Sequence, residues 1–442
     1  MTSARLAGAV IVAVAAIALL WGWSVGREPA PPRPADLVAR VDAAWYDALP
    51  LDPAAATAAY LARIPPDMRA RGKAYSDTRL IAFALRVITL IAATAFLCAT
   101  AFGARVRDAA GAAFRRQPVI DAAVALAYFI ALYALSLPAE VYASFVRPHR
   151  FGFSAQSFAG WLADDLTNFG VFTTFYVVGM LAIYGIMRRR PRTWALWAIV
   201  VYLVLRTLYA VLSPGVIEPL TNDFRPLPDG AQKDQVLALA RANGIEDASV
   251  VTSDASRRSR LLNAHVSGFG ATARISLDDT TLRATSDPML RMVVAHEIGH
   301  FVMHHDIAAV VSDTLVTAVG FLAIAWALRV LVRRYGARFG VRGEGDIASL
   351  PLFWGLFALW GFIAVPATNA ISRVYERQAD LYGLNASRAP HGMAEFMIHD
   401  ADTARLAPSA LEYALFYDHP SDAERVMTAM RWRASEAALQ PP

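Results

Sequence analysis

Cysteine is almost absent from this chain: Cys98 is the only one in 442 residues. An intramolecular disulfide is therefore excluded. The apolar run around Cys98 argues for packing and against a thiolate metal ligand. Lysine is nearly as scarce, with only Lys73 and Lys233. Positive charge is thus almost entirely arginine, and alanine is abundant, a composition in keeping with a GC-rich bacterial genome. Charge of either sign is short as well. Only 18% of residues are Asp, Glu, Lys or Arg, against 56% hydrophobic, where soluble domains carry about a quarter charged. That balance predicts a membrane protein. The formal net charge of +5 comes with no stacking motif or nucleic-acid signature, so it is read as a topology signal and no nucleic-acid partner is expected.

What the chain does contain is a series of long apolar runs. Residues 6–25 follow Arg5 and are read as a retained signal anchor, being long, Trp-bearing and without a clear small-residue cleavage site. A proline-rich stretch with Pro29, Pro31, Pro32 and Pro34 comes next. Residues 36–79 mix polar residues with short amphipathic patterns and are expected at the membrane surface. Six more runs are each long enough to cross a bilayer: 80–103, 119–138, 169–187, 193–213, 307–331 and 348–367. Trp194, Trp197, Trp354 and Trp360 are candidates for interfacial anchors or for packing. The charged connection 139–168 is expected in water or lining a cavity.

Two polar segments interrupt the spans. In the first, 215–306, residues 231–243 read as a helix ended by Gly244. Ala248–Ser253, the stretch from Asn263 to Gly270, and Ala273–Leu277 read as strands. The second is 368–442. The expected organisation is a signal-anchor span with a surface segment (1–79), spans two to five (80–214), a first half-domain (215–306), spans six and seven (307–367) and a second half-domain (368–442).

Each polar segment carries a candidate metal motif. His296-Glu297-Ile298-Gly299-His300 lies in a helical pattern, with Asp287 suited to the N-cap and Pro288 to the first turn. Residues four apart share a helix face, so both imidazoles can reach one ion. Glu297 is one step round, where a carboxylate can take a proton from an attacking water without ligating the metal. Downstream, Glu376 and Asp380 share a face of a second helical pattern. Glu376 completes a His2Glu set, and Asp380 suits an acceptor that holds a ligand imidazole in its correct tautomer. The competing reading of Arg373, Glu376, Arg377 and Asp380 is a solvated charged face. The paired motifs favour one zinc ion per chain and a zinc-dependent peptide hydrolase. His304 and His305 lie further along the helix and are not read as ligands, and His391 and His399 are read as surface or supporting residues.

The order of motifs resembles the type I CAAX prenyl endopeptidases, seven-span zinc metalloproteases. Leu135-Ser-Leu-Pro138 with Phe151-Gly-Phe-Ser154, and Ser213-Pro214 through Pro219-Leu220, Asn222, Phe224, Pro226 and Leu227, carry the resemblance. So do Ser256-Arg-Arg-Ser259, Asn263-Ala-His-Val-Ser-Gly-Phe269, both metal motifs, and His419-Pro-Ser-Asp-Ala-Glu424-Arg425. The resemblance implies a mainly α polytopic membrane protein. Seven transmembrane helices would enclose a chamber, with a split α+β, gluzincin-like zinc domain at its mouth. It implies His296, His300 and Glu376 as ligands and Glu297 as base. Asn263 and His419 would hold the substrate backbone, with Ala264 and His265 continuing the strand. Arg425 would support the site, and His419 or Arg425 would donate to the oxyanion. Arg147-Pro-His-Arg150 departs from the family pattern. A bacterial host without protein prenylation removes the prenylated substrate from what is carried over, leaving membrane-associated proteins or peptides. The alternatives are a four-span heat-shock membrane protease, or a scaffold or transporter, for which Arg86 and Arg206 inside spans are the cue.

The loops after spans two, four and six carry Arg105, Arg107, Arg115, Arg116; Arg188, Arg189, Arg190, Arg192; and Arg333, Arg334, Arg338, Arg342. The positive-inside rule sets these in the cytoplasm and the zinc domain on the periplasmic side of a bacterial inner membrane. Against it stand the basic Arg63, Arg69, Arg71, Lys73 and Arg79 on the zinc side, and the resemblance, since the eukaryotic members open their zinc site toward the cytosol.

Overall fold

The computed structural model describes residues 3–25, 27, 41–268 and 273–439. The proline-rich stretch after residue 27, the side chain of Arg5, and Phe269 and Gly270 of the second expected strand lie outside the described residues. Among the described residues, seven helices are long and apolar enough to cross a membrane, and the protein is a mainly helical polytopic membrane protein with a small mixed sheet.

α1 (Ser3–Val25) packs on α6 (Gln117–Glu140). α2 (Ala43–Asp47) and α3 (Pro53–Ala62) follow, each with an aspartate at its N-cap accepting a backbone N–H. α4 (Pro66–Ala99) and α5 (Phe102–Ala113) lead into α6. The expected aqueous connection 139–168 is largely helix: a π-helical stretch, Val141–Val146, carries α6 into α7 (Arg147–Arg150), and α8 begins at Phe158. α8 (Phe158–Arg189) and α9 (Trp194–Leu212) complete the first group of spans. Of the four tryptophans, Trp194 is buried against Phe353, Trp354 packs on Phe129 and Tyr176, and Trp360 donates to Val316 O. Trp197 is half exposed.

The next segment forms β1 (Phe224–Pro226), α10 (Ala231–Ala242), β2 (Ser249–Ser253), β3 (Ala264–Ser267), β4 (Arg274–Asp278), α11 (Asp279–Ala284) and α12 (Asp287–Val302). The sheet order is β1-β2-β4-β3, with β2 and β4 parallel and the other pairs antiparallel. β3 is therefore an edge strand. Residues 231–243 and Gly244 behave as expected, Gly244 adopting φ +82° just past the helix. β1 was not foreseen, being only three residues long and containing Pro226. Leu290, Val293, Val294 and Ile298 of α12 pack onto Val250, Ile275 and Leu277 of the sheet. Each such buried side chain contributes about 1.5–3 kcal/mol. The N-cap position of α12 is Ser286, not Asp287. Asp287 lies in the first turn, where its charge still complements the helix dipole.

α13 (His305–Tyr335) leaves the zinc-motif side and α14 (Leu350–Ser387) returns. α14 has 38 residues, about 57 Å of helix against a hydrocarbon core of about 30 Å. Its C-terminal half thus projects past the apolar span and carries Glu376 directly to α12. α15 (Pro390–His399), α16 (Ala410–Phe416) and α17 (Asp422–Leu439) follow. Residues 41–68, within the segment expected at the membrane surface, pack against the second half-domain. Leu49, Ala56, Tyr60, Ile64 and Met68 form one core with Met393, Ile398, Val426 and Met430, because burying that apolar face among protein side chains removes it from water. Cys98 is buried in the core of the membrane helices.

Candidate active site

One turn of α12 sets His296 and His300 with Nε2 atoms 3.2 Å apart. Glu376 of α14 brings Oε2 to 3.3 Å from His296 Nε2 and Oε1 to 3.4 Å from His300 Nε2. Tetrahedral zinc with bonds of about 2.0–2.1 Å requires donor separations of about 3.3–3.4 Å. The contacts fall close to that range, Glu376 reaching one imidazole with each of its two oxygens. The three side chains form the one metal-capable trio among the described residues, with one donor atom from each within 4.8 Å of the others. Glu376 Oε2 is buried without a well-formed hydrogen bond, although His419 Nε2 stands 3.2 Å away. Such a lone pair directed among two imidazoles fits a cation. Glu297 Oε1 lies 4.0 Å from His296 Nε2, beside the trio and outside it.

The helices meet closely enough for this because two glycines face the contact. A Cβ on Gly383 would stand 3.0 Å from His296 N and 2.6 Å from Met292 Cε, and one on Gly299 would stand 3.1 Å from Tyr382. His296 Nδ1 is 2.9 Å from Asp380 Oδ1. Arg425 Nε donates to Asp380 Oδ2 at 3.0 Å, and its Nη2 lies 3.4 Å from His296 Nδ1. Asp380 is 1% exposed, so the Arg425 guanidinium is what compensates its charge.

Burial disfavours a charge on His296, but the bonded Asp380 and Glu376 carboxylates outweigh it and push its pKa up to about 9. A cation held at Nε2 would take the place of that proton. Burial pushes the Glu297 carboxyl above its ordinary value, with His296 and His300 partly offsetting it, which makes Glu297 a stronger proton acceptor. His419 is raised: burial opposes its charge, while Asp418, 2.9 Å from Nδ1, and Glu376 favour it.

The other sequence-derived candidates fall around β3. The Asn263 backbone is locked, its N–H donating to Thr281 Oγ1 and its carbonyl accepting from the same hydroxyl. Its side chain is exposed and lines a cavity of about 170 Å³ with Ala264, Met292, Met393, Glu297 and His419. At the other end of β3 a cavity of about 420 Å³ is lined by Val266, Glu218, His300, Tyr375 and Glu376. His265 turns to Glu218, 3.3 Å away, which also binds Arg274. His391 is partly buried, with Tyr60 OH 2.6 Å from its Nδ1, beside the core formed with residues 41–68. His399 pairs with Asp400. His305, set aside as a ligand, approaches His300 from behind, Nδ1 to Nδ1 at 3.0 Å. Sequence spacing held no signal for that contact, since a helix continued through His304 would have turned His305 elsewhere. The arginines inside spans are paired, Arg86 with Glu140 and Arg206 with Asp313.

Residues 226–433 match the model of Peptidase family M48, and residues 62–223 match that of the CAAX prenyl protease N-terminal, five membrane helices. The chain is 31% identical over 281 residues to the uncharacterized metalloprotease YhfN of Bacillus subtilis, covering 63% of this chain and 66% of that protein. It is 29% identical over 318 residues to CAAX prenyl protease 1 of Saccharomyces cerevisiae, covering 66% and 68%. The chain thus spans about two thirds of the length of these curated relatives. In fold it is similar to the crystal structure of S. mikatae Ste24p, with a TM-score of 0.68 at 21% identity over 95% of this chain and 98% of that one. The paired metal motifs fall within the first of these matched regions and four of the membrane helices largely within the second, and the chain belongs to the M48 metallopeptidases, in the group that carries the CAAX prenyl protease membrane region.

Proposed function

We propose that this protein is an integral-membrane zinc endopeptidase, with one zinc per chain held by His296, His300 and Glu376. The observation that carries the reading is the 3.2–3.4 Å spacing of two imidazole nitrogens and the two oxygens of one carboxylate, with a half-buried fourth side chain, Glu297, beside them. Zinc bound there supplies Lewis-acid polarisation of the scissile carbonyl and a water acidic near neutrality. Glu297 accepts the proton of the attacking water and passes it to the leaving amine. His419, tilted toward its charged form by Asp418, donates to the carbonyl oxygen as negative charge develops. Arg425 acts through Asp380, keeping the carboxylate that orients His296. An extended peptide adds to edge strand β3 beside Asn263, Ala264 and His265.

The substrates are membrane-associated proteins or peptides. A prenyl group is not part of the reading, because the arginine-rich composition suggests a bacterial host. The membrane is the bacterial inner membrane and the zinc face is periplasmic. This orientation is supported by the arginines of the loops after spans two, four and six. The basic residues 63–79 share the zinc side but weigh less against it, since the rule counts long segments for less than short loops. The test is cleavage of internally quenched peptides by the purified full chain. Activity lost to a chelator and restored by zinc is expected, and zinc-independent or absent cleavage across a diverse peptide set refutes the reading.

A further inference from the structure

His305 is buried at 6% exposure and touches no reacting position. The chain goes to some cost to put it where it is. His304 adopts the left-handed region with φ 54°, a conformation disfavoured for any residue bearing a Cβ, and this reversal between α12 and α13 folds His305 back onto His300. Tyr375 and Gln378, three apart on one face of α14, then clasp it. The Tyr375 ring stacks on the imidazole with centroids 5.0 Å apart, and Gln378 Oε1 lies 3.0 Å from His305 Nε2. Tyr375 is itself held by its hydroxyl, which donates to Ala308 O.

The proton positions in this chain of contacts follow from one another. Gln378 Oε1 only accepts, so His305 Nε2 carries the hydrogen. A neutral imidazole protonated at Nε2 has its lone pair at Nδ1. His305 Nδ1 therefore accepts from His300 Nδ1–H across 3.0 Å. His300 in turn must present a bare Nε2, and Nε2 is the atom 3.4 Å from Glu376 and 3.2 Å from His296 Nε2. Run in the opposite sense, the same contacts would leave a hydrogen on the atom that has to ligate.

We propose that His305, oriented by Gln378 and Tyr375, is a positioning residue that fixes the tautomer and ring rotation of His300. It would do for His300, as a neutral acceptor, what Asp380 does for His296 as an anionic one. The proposal rests on the zinc-site reading above. It is tested on the full-length protein in detergent by zinc affinity, measured in competition with a chromogenic chelator. His305→Phe keeps a ring to stack on Tyr375 but has no acceptor, and should bind zinc about 10–100-fold more weakly. His305→Asn places Oδ1 where Nδ1 stood and should stay within about threefold of the parent, since the acceptor is what matters. Zinc affinity unchanged in His305→Phe, or lost equally in His305→Asn, overturns the proposal. Should His305→Phe fail to fold by circular dichroism, Gln378→Leu carries the same test: weaker binding is expected and parental affinity refutes it. Glu376→Ala separates the two levels. If it binds zinc as tightly as the parent, the zinc site itself is misassigned; if it alone is weakened, only the role of His305 falls.

Discussion

Replacing Glu297 by Gln is the sharpest probe of the proposed chemistry, because the structure separates its role from metal binding. The carboxylate lies 4.0 Å from His296 Nε2, outside the trio spaced at 3.2–3.4 Å. The amide has the same shape, so zinc content should be unchanged. It cannot take a proton, so turnover should fall at least about 10²–10⁴-fold, or about 3–5 kcal/mol on the barrier. Stability should be unchanged or higher, since the side chain is only 20% exposed and the substitution removes a buried charge held against desolvation. The sign of the pH effect follows as well. The base works as the carboxylate, and burial raises its pKa above the ordinary 4.5. Parent activity should therefore fall as pH drops through a value above 4.5, and the residual rate of the variant should lack that limb. The assay is quenched-peptide cleavage by parent and variant matched for zinc by metal analysis. Cleavage by the variant at near-parental rate, with equal zinc, removes Glu297 from the mechanism.

Asp380→Ala frees His296 Nδ1 and strands the Arg425 guanidinium, and should weaken zinc binding about 10–100-fold in a chelator competition. A Cβ at Gly392 would stand 2.1 Å from Pro288 O; Gly392→Ala must push α15 off α12 and should cost about 1–3 kcal/mol in thermal unfolding. Gly361→Ala on α14 meets nothing within 4 Å and should be neutral in the same assay. Burial, and then Arg433, lower His391 to about 4 from an ordinary 6.5, so the fold prefers it neutral. Its stabilising contribution is complete above pH 6.5 and lost as pH falls toward 4, by roughly 1–3 kcal/mol once its partial exposure is allowed for. His391→Asn keeps the acceptor for Tyr60, and its stability relative to the parent should improve over that window; a constant difference by pH-dependent melting refutes the linkage. For topology, alkaline phosphatase fused after Pro442 should be active and green fluorescent protein dark, and the reverse pattern places the zinc face in the cytoplasm.

Much of this protein is written locally. Seven spans are legible because crossing hydrocarbon demands about 20 apolar residues in a row, and such runs need no partner to be seen. His296, Glu297 and His300 are legible because residues four apart share a helix face whatever surrounds them. Glu376 and Asp380 could be paired with each other on the same ground. Their meeting with His296 could only be conjectured across two spans, and it took Gly383 and the projecting half of α14 to bring it about. Hydropathy also marks where the apolar stretch stops, not where the helix stops: backbone hydrogen bonding continues through polar residues, so α4 and α14 run well beyond the spans predicted for them. Tertiary packing alone decided the rest. Residues 41–68 joined the core of α15 and α17 because Tyr60 and Met68 found apolar partners more than 300 positions away. His305 turned from a bystander into a neighbour of His300 because one residue, His304, took a left-handed backbone. No local pattern encodes either outcome, since each depends on groups that are brought together only when distant parts of the chain fold against one another.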